Sequence, residues 1–194
     1  NKIINNKKVA LHEPQFFYED IESVNKAIKS TYVSSSGKYV DLFEKKLSKF
    51  TNSKYVVATV NGTSALHIAL IINKLKLNEE VLLPSMSFIA SANAISYCGA
   101  TPHFVDIEEK TLGIDVKKLE KYLKKITKIN NGSLYNKKTK RKISGIIPVH
   151  LFGHPSNILE LIKLAKKFNL FLIEDAAEGL GSFYKKKHVG TFGN

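Results

Sequence analysis

Asp175 sits where an apolar run, Leu170-Phe171-Leu172-Ile173, gives way through Glu174 to the small-residue turn Ala176-Ala177-Glu178-Gly179-Leu180-Gly181-Ser182. An unbroken apolar run is what a parallel strand covered on both faces carries, and the carboxyl end of such a strand is where an open α/β sheet binds its ligands. A carboxylate in that place can hold a proton on a basic nitrogen of a bound molecule. A lone aspartate more commonly caps the turn through its own side chain, so the ligand reading rests on two further strand ends.

The first is Tyr55-Val56-Val57-Ala58-Thr59-Val60, followed by Asn61-Gly62-Thr63-Ser64 and the helical pattern Ala65 to Ile72. A strand is expected to run into a glycine turn and a helix start. Gly62 would let the backbone approach a ligand closely, Thr63 and Ser64 would present hydroxyls and unpaired N–H groups, and the helix dipole would favour an anion. This reads as a phosphate cradle, although Thr and Ser are also ordinary helix caps. It is neither a P-loop nor a dinucleotide fingerprint, because the Gly-Lys-Ser ending and the three-glycine spacing are missing. The second is Val81-Leu82-Leu83-Pro84-Ser85-Met86-Ser87-Phe88, where a strand breaks at proline and a helix begins near an aromatic. Phe88 could stack on a flat ring, or serve as core, as a single phenylalanine usually does. Phosphate anchor, stacking aromatic and carboxylate together suit a flat, phosphorylated heteroaromatic with a basic ring nitrogen. Pyridoxal phosphate fits, the carboxylate keeping its pyridinium protonated so that the ring can act as an electron sink.

Asn61-Gly62-Thr63-Ser64-Ala65-Leu66, Ser87-Phe88-Ile89-Ala90-Ser91, Phe104-Val105-Asp106, Pro148-Val149-His150-Leu151-Phe152-Gly153, Glu174-Asp175-Ala176-Ala177-Glu178 and Gly190-Thr191-Phe192-Gly193 follow one another along the chain. In these motifs and their order the chain resembles the DegT/StrS sugar aminotransferases. The resemblance implies a fold-type I enzyme dependent on pyridoxal phosphate, built on an α/β large domain with a mostly parallel sheet flanked by helices. It puts the phosphate-binding groups at Gly62, Thr63 and Ser64, the ring-stacking aromatic at Phe88 and the pyridinium partner at Asp175. Glu178 takes the place, often glutamine in the family, near the cofactor's phenolic oxygen; a glutamate there goes with the branch that makes 4-amino-6-deoxy sugars.

More narrowly, Val33 to Val40, the Gly153-His154-Pro155 turn and the basic hairpin-like stretch Asn136 to Lys142 resemble the aminotransferases of the legionaminic acid pathway, with perosamine synthases sharing part of the pattern. The expected reaction is amination of a nucleotide-linked 4-keto-6-deoxy sugar, with glutamate as donor, for surface polysaccharide or nonulosonic acid biosynthesis. UDP-4-keto-6-deoxy-N-acetylhexosamine is preferred over GDP-linked 4-keto-6-deoxymannose. A homodimer is implied by the resemblance alone.

In that family the Schiff-base lysine follows a Ser-Phe-containing strand shortly after the Gly-Thr-Phe-Gly motif, so it is expected beyond Asn194 and no catalytic residue is assigned within the chain. Lys185, Lys186 and Lys187 precede Gly190 in what reads as a solvated turn and are not expected to replace it. With Asn1 first and Met86 the one methionine, the expectation is a piece of a longer reading frame. Residues 1–194 would then be a partial large domain, incomplete at its carboxyl end, with the small carboxyl-terminal domain absent. The reading from a different class is a non-catalytic fragment or a binding relative without the lysine. A nicotinamide-dependent dehydrogenase is disfavoured by the missing glycine fingerprint.

The elements that must position these residues alternate. Helical patterns at Tyr18 to Ser30 and Tyr39 to Phe50 lead in. Strands are then expected at Tyr55 to Val60, Val81 to Leu83, Thr101 to Asp106, Ile143 to His150 and Leu170 to Glu174, separated by helical segments, which argues for α/β winding. A chain of 194 residues, 43% hydrophobic, has apolar material for one such core. No apolar run is long enough to span a bilayer and no amino-terminal signal pattern is present, so the cytoplasm is expected. The one cysteine, Cys98, reads as packing. The net charge of +13 invites nucleic acid, but the lysines fall largely on polar faces of amphipathic helices. The basic loop Ile129 to Lys142 offers only Tyr135 for stacking, so neither nucleic acid nor membrane is an expected partner. His150 and His154 have the spacing of a zinc pair only on a helix, which Gly153 and Pro155 would break, so no metal is expected. His150, closing a strand at the ligand edge, is either a substrate contact or a satisfied structural histidine.

Overall fold

The structure, a computed structural model, describes residues 14–193. They fall into two compact units, one ending at Lys46 and the other beginning at Leu47. In the first, α1 (Tyr18–Lys29) begins with Glu19 and Asp20 and ends with Lys26 and Lys29, the charge order that complements a helix dipole. Helix α2 (Lys38–Thr51) begins in the first unit and ends in the second, and neither helix has a buried residue.

The second unit continues through α3 (Gly62–Ile72), β1 (Glu80–Pro84), α4 (Ile89–Tyr97), β2 (Thr101–Val105), α5 (Val116–Ile126), β3 (Thr127–Asn130), β4 (Ser133–Asn136), β5 (Lys142–Ile146), α6 (Ile158–Phe168) and β6 (Phe171–Leu172). Strand β1 lies between β2 and β5 and is parallel to both. Strand β6 is also parallel to β5, whereas β3 and β4 form an antiparallel hairpin that pairs antiparallel with β5. The second edge of β5 is therefore divided: Leu134 and Tyr135 pair with Ile143 and Lys142, and Phe171 and Leu172 pair with Gly145 and Ile146. The Phe171 ring lies directly over Gly145, where a Cβ would stand 2.0 Å from a ring carbon.

Helices cover both faces of this sheet. All of β1 is buried, and its alternation sends Leu82 into one core layer with Leu119 and Leu123 of α5 and Leu161 of α6. Val81 and Leu83 enter the other layer with Leu66 and Leu70 of α3 and Ile95 of α4; Cys98 packs against this second layer. Among the described residues no helix is long and apolar enough to cross a membrane, and no cluster of three metal-ligating side chains occurs.

Four expectations change, the first being that the strand expected over Leu170 to Glu174 is reduced to the two residues of β6, Phe171 and Leu172. Tyr55 to Val60 forms no strand; among the described residues no strand lies alongside it, and Tyr55, Val57 and Val60 are 77%, 78% and 88% exposed. A β-branched run favours extended backbone but needs a neighbouring edge to become a strand. The basic loop from Ile129 to Lys142 is largely the β3–β4 hairpin and the turn after it. The run Ile143 to His150 leaves the ladder after Ile146, next to Pro148, which has no N–H to donate. Beyond that point, pairing resumes as a single parallel bridge between Val149 and Asp175. The lysines at 185–187 lie where expected, in a tight hairpin of β7 (Phe183–Tyr184) and β8 (Lys187–His188).

Candidate active site

The carboxyl ends of β1, β5 and β6 bring three chain segments to one side of the sheet, where the start of α3 meets them. A cavity of about 330 Å³ opens there, and Gly62, Thr63, Phe88, His150, Asp175 and Glu178 all line it. Ser64, the remaining residue singled out by sequence, faces an adjoining cavity of about 340 Å³ with Asn61, His67 and Tyr97.

Asp175 owes its place to the bridge with Val149. Its N–H donates to the Pro148 carbonyl at 2.9 Å and its carbonyl accepts the His150 N–H at 3.1 Å. Its side chain is held from two directions: the buried Ser91 hydroxyl of α4 donates to Oδ2 at 2.5 Å, and the Ala177 N–H donates to Oδ1 at 3.2 Å. The turn-capping role and the pocket-lining position thus coexist. An ionised carboxylate has about four acceptor sites, so two donors still leave it able to receive a ligand's N–H.

At the start of α3, Asn61 is the cap: its Oδ1 accepts the Ser64 N–H at 2.8 Å and its carbonyl accepts the Ala65 N–H at 3.2 Å. The Ser64 amide is therefore taken, contrary to the sequence expectation, and only its hydroxyl remains. The amides of Gly62 and Thr63 have no acceptor among the described residues, as the first turn of a helix requires unless something binds there. A Cβ on Gly62 would meet no atom within 4 Å. Among the described residues nothing demands glycine at that point, and Gly62 is one of the residues that line the cavity.

Phe88, the residue before α4, is 74% exposed, so it is not core and its ring is free for stacking. Glu178 is anchored across the cavity mouth, its Oε2 accepting the Phe152 N–H at 2.5 Å. Phe152 has φ +53°, a left-handed conformation uncommon for an aromatic, and this bond fixes it.

Behind the cavity, Glu174 accepts from His150 Nε2 at 3.0 Å and from the N–H groups of Gly190, Phe192 and Gly193 at 2.9, 2.5 and 2.7 Å. Burial pushes its carboxyl up, but the bonds from His150 and the three amides outweigh that, and Glu174 titrates below the usual carboxylate range. His150 Nδ1 accepts the Ser156 N–H at 3.0 Å, which fixes the tautomer with its proton on Nε2. Both ring nitrogens are hydrogen-bonded within the protein, as a satisfied structural histidine requires, while the residue also lines the cavity. Ser91 and Glu174 carry no sequence signal of their own; Ser91 meets Asp175 from 84 positions away. Among the described residues no lysine lines the cavity.

The model of the DegT/DnrJ/EryC1/StrS aminotransferase family matches residues 15–194. The chain is similar to the GDP-perosamine synthase of Escherichia coli O157:H7, with 41% identity over 188 residues that cover 97% of this chain and 47% of that protein. Among solved structures it resembles the aminotransferase from Psychrobacter cryohalolentis, with a TM-score of 0.79 and 31% identity over 93% of this chain and 42% of that one. It also resembles NtdA from Bacillus subtilis with bound cofactor PMP, with a TM-score of 0.70 and 34% identity over 84% and 34% of the two chains. The chain spans about half the length of the curated relatives it matches. The family match runs through every segment that builds the cavity: the chain belongs to the DegT/DnrJ/EryC1/StrS aminotransferases, a family dependent on pyridoxal phosphate.

Proposed function

We propose that this chain is the cofactor-binding part of the large domain of an aminotransferase that turns the keto group of a nucleotide-linked 4-keto-6-deoxy sugar into an amine, with glutamate as donor. One observation carries the reading: a single cavity joins two helix-start amides that have no acceptor among the described residues, an exposed aromatic ring and a carboxylate held by Ser91. These residues fit pyridoxal phosphate. The Gly62 and Thr63 amides, with the Thr63 and Ser64 hydroxyls, would hold its phosphate. Phe88 would fix the plane of its ring, Asp175 would keep a proton on its ring nitrogen, and Glu178 would face its phenolic side. When bound, the cofactor supplies an electron sink conjugated to the carbon that gains or loses a proton. The lysine that would anchor it lies, in this reading, outside the described residues, as does the small domain; a cytoplasmic homodimer completes the proposal.

The sequence pattern favours a UDP-linked N-acetylhexosamine. The name of the relatives at 41% and 34% identity, GDP-perosamine synthase, supports a GDP-linked 4-keto-6-deoxymannose instead, and we take that as the leading substrate with the UDP sugar second. The test incubates the complete protein with pyridoxal phosphate, glutamate and each keto-sugar nucleotide, and reads the amino sugar by mass spectrometry. Amination of the GDP sugar, with Asp175→Asn slower by at least about a hundredfold, is the expected result. Undiminished turnover by Asp175→Asn would sink the site assignment, and a wild type that binds no cofactor would favour a non-catalytic relative.

A further inference from the structure

Glu174 precedes Asp175 but does not line the cavity. A carboxylate offers about four acceptor sites, and here four donors fill them: Phe192 and Gly193 on Oε1, Gly190 and His150 on Oε2. Three of the donors belong to one loop, packed so closely that its glycines are needed by the protein itself. A Cβ at Gly193 would stand 2.6 Å from the Leu172 carbonyl oxygen, and Gly190 has φ +79°. The fourth donor leads back to the strand. His150 takes the Ser156 N–H on Nδ1, the Ser156 hydroxyl donates to the Val149 carbonyl at 2.8 Å, and Val149 is the bridge partner of Asp175. Glu174, His150, Ser156 and Val149 therefore close a ring of bonds around the backbone that delivers Asp175.

We infer that Glu174, acting through His150 and Ser156, is a positioning residue that sets where the Asp175 carboxylate stands in the cavity. The inference rests on the cofactor reading above. An amide at position 174 keeps the size but turns one arm into a donor facing donors. His150 cannot relieve this by moving its proton to Nδ1, because the Ser156 amide would then lose its acceptor.

The experiment titrates the complete apoprotein with pyridoxal phosphate, by fluorescence quenching well below every melting temperature, for wild type, Glu174→Gln and Leu123→Ala. Leu123 is fully buried in the layer of α5, away from the cavity, and supplies a variant destabilised without touching the ring. Glu174→Gln should bind the cofactor roughly tenfold more weakly than Leu123→Ala does. Equal affinities of the two variants, with wild type binding normally, would overturn the inference and leave the cofactor reading intact. A wild type that does not bind overturns both. If Glu174→Gln does not fold, Ser156→Ala breaks the ring at a residue outside the cavity: binding weaker than that of Leu123→Ala supports the inference, and equal binding overturns it.

Discussion

Replacing Gly62 with alanine should separate what the fold needs from what the ligand needs. The added methyl meets no protein atom within 4 Å, and the residue sits at the first position of α3 without a positive φ. Exchange of glycine for alanine at a compatible site stabilises by about 0.4–1 kcal/mol, chiefly by restricting the unfolded chain. For a chain of this size that is a rise of roughly 1–4 °C in melting temperature. Gly62 also lines the cavity, and in the proposed placement the phosphate comes up to its backbone, where an added methyl would crowd it. Losing one hydrogen bond to a charged group costs about 1.5–3 kcal/mol, or roughly a ten- to 150-fold weaker affinity. The assay pairs a thermal melt of the apoprotein with a pyridoxal phosphate titration of the same preparation. A higher melting temperature with unchanged affinity would refute the placement of the phosphate, and a lower melting temperature would refute the claim that the protein leaves that space open.

Ser91→Ala should leave Asp175 Oδ2 buried without its donor, costing about 1–3 kcal/mol in denaturant unfolding and weakening cofactor binding; unchanged binding would remove Ser91 from the site. The side chains of Glu174 and Glu80 are both buried, and in each the hydrogen bonds outweigh the effect of burial and hold the carboxyl below its ordinary 4.5. A carboxyl lowered by folding stabilises above its unfolded pKa and loses that contribution as pH falls through the folded one. Urea midpoints of the complete protein should hold down to about pH 5 and drop steeply below 4.5, less steeply in Glu80→Gln; a midpoint level to about pH 3 would contradict this.

What the sequence made legible was the content of the strand ends. Asp175, Phe88 and the Gly62-Thr63 turn were each marked by local chemistry, a break in an apolar run or a glycine before a helix, and all of them line one cavity. What it hid depended on partners far away in the chain. Tyr55 to Val60 has a strand's composition but no strand alongside among the described residues. Asn61 takes the Ser64 amide because an asparagine immediately before a helix caps it through an N–H of the first turn. His150 could be read from its place at a strand end as a substrate contact or as a structural histidine, and its partners on both nitrogens, Ser156 and Glu174, became visible only in the fold. Ser91 was quoted within a motif but not singled out, since a buried serine in a helix gives no hint of its acceptor.

The ring of Phe171 over Gly145 also acts as a guard against slippage. Strand β6 pairs through only two residues, too few for hydrogen bonds to choose among alignments with β5. Gly145 is the one residue of β5 without a side chain, and a ring seated over it has no equivalent seat one step along, where Ser144 and Ile146 carry Cβ atoms. A slip by one residue would also turn Asp175 to the face that Glu174 now occupies, exchanging the two carboxylates across the sheet. Gly145 does not line the cavity, yet its fit with Phe171 decides which of two adjacent acids the cavity receives.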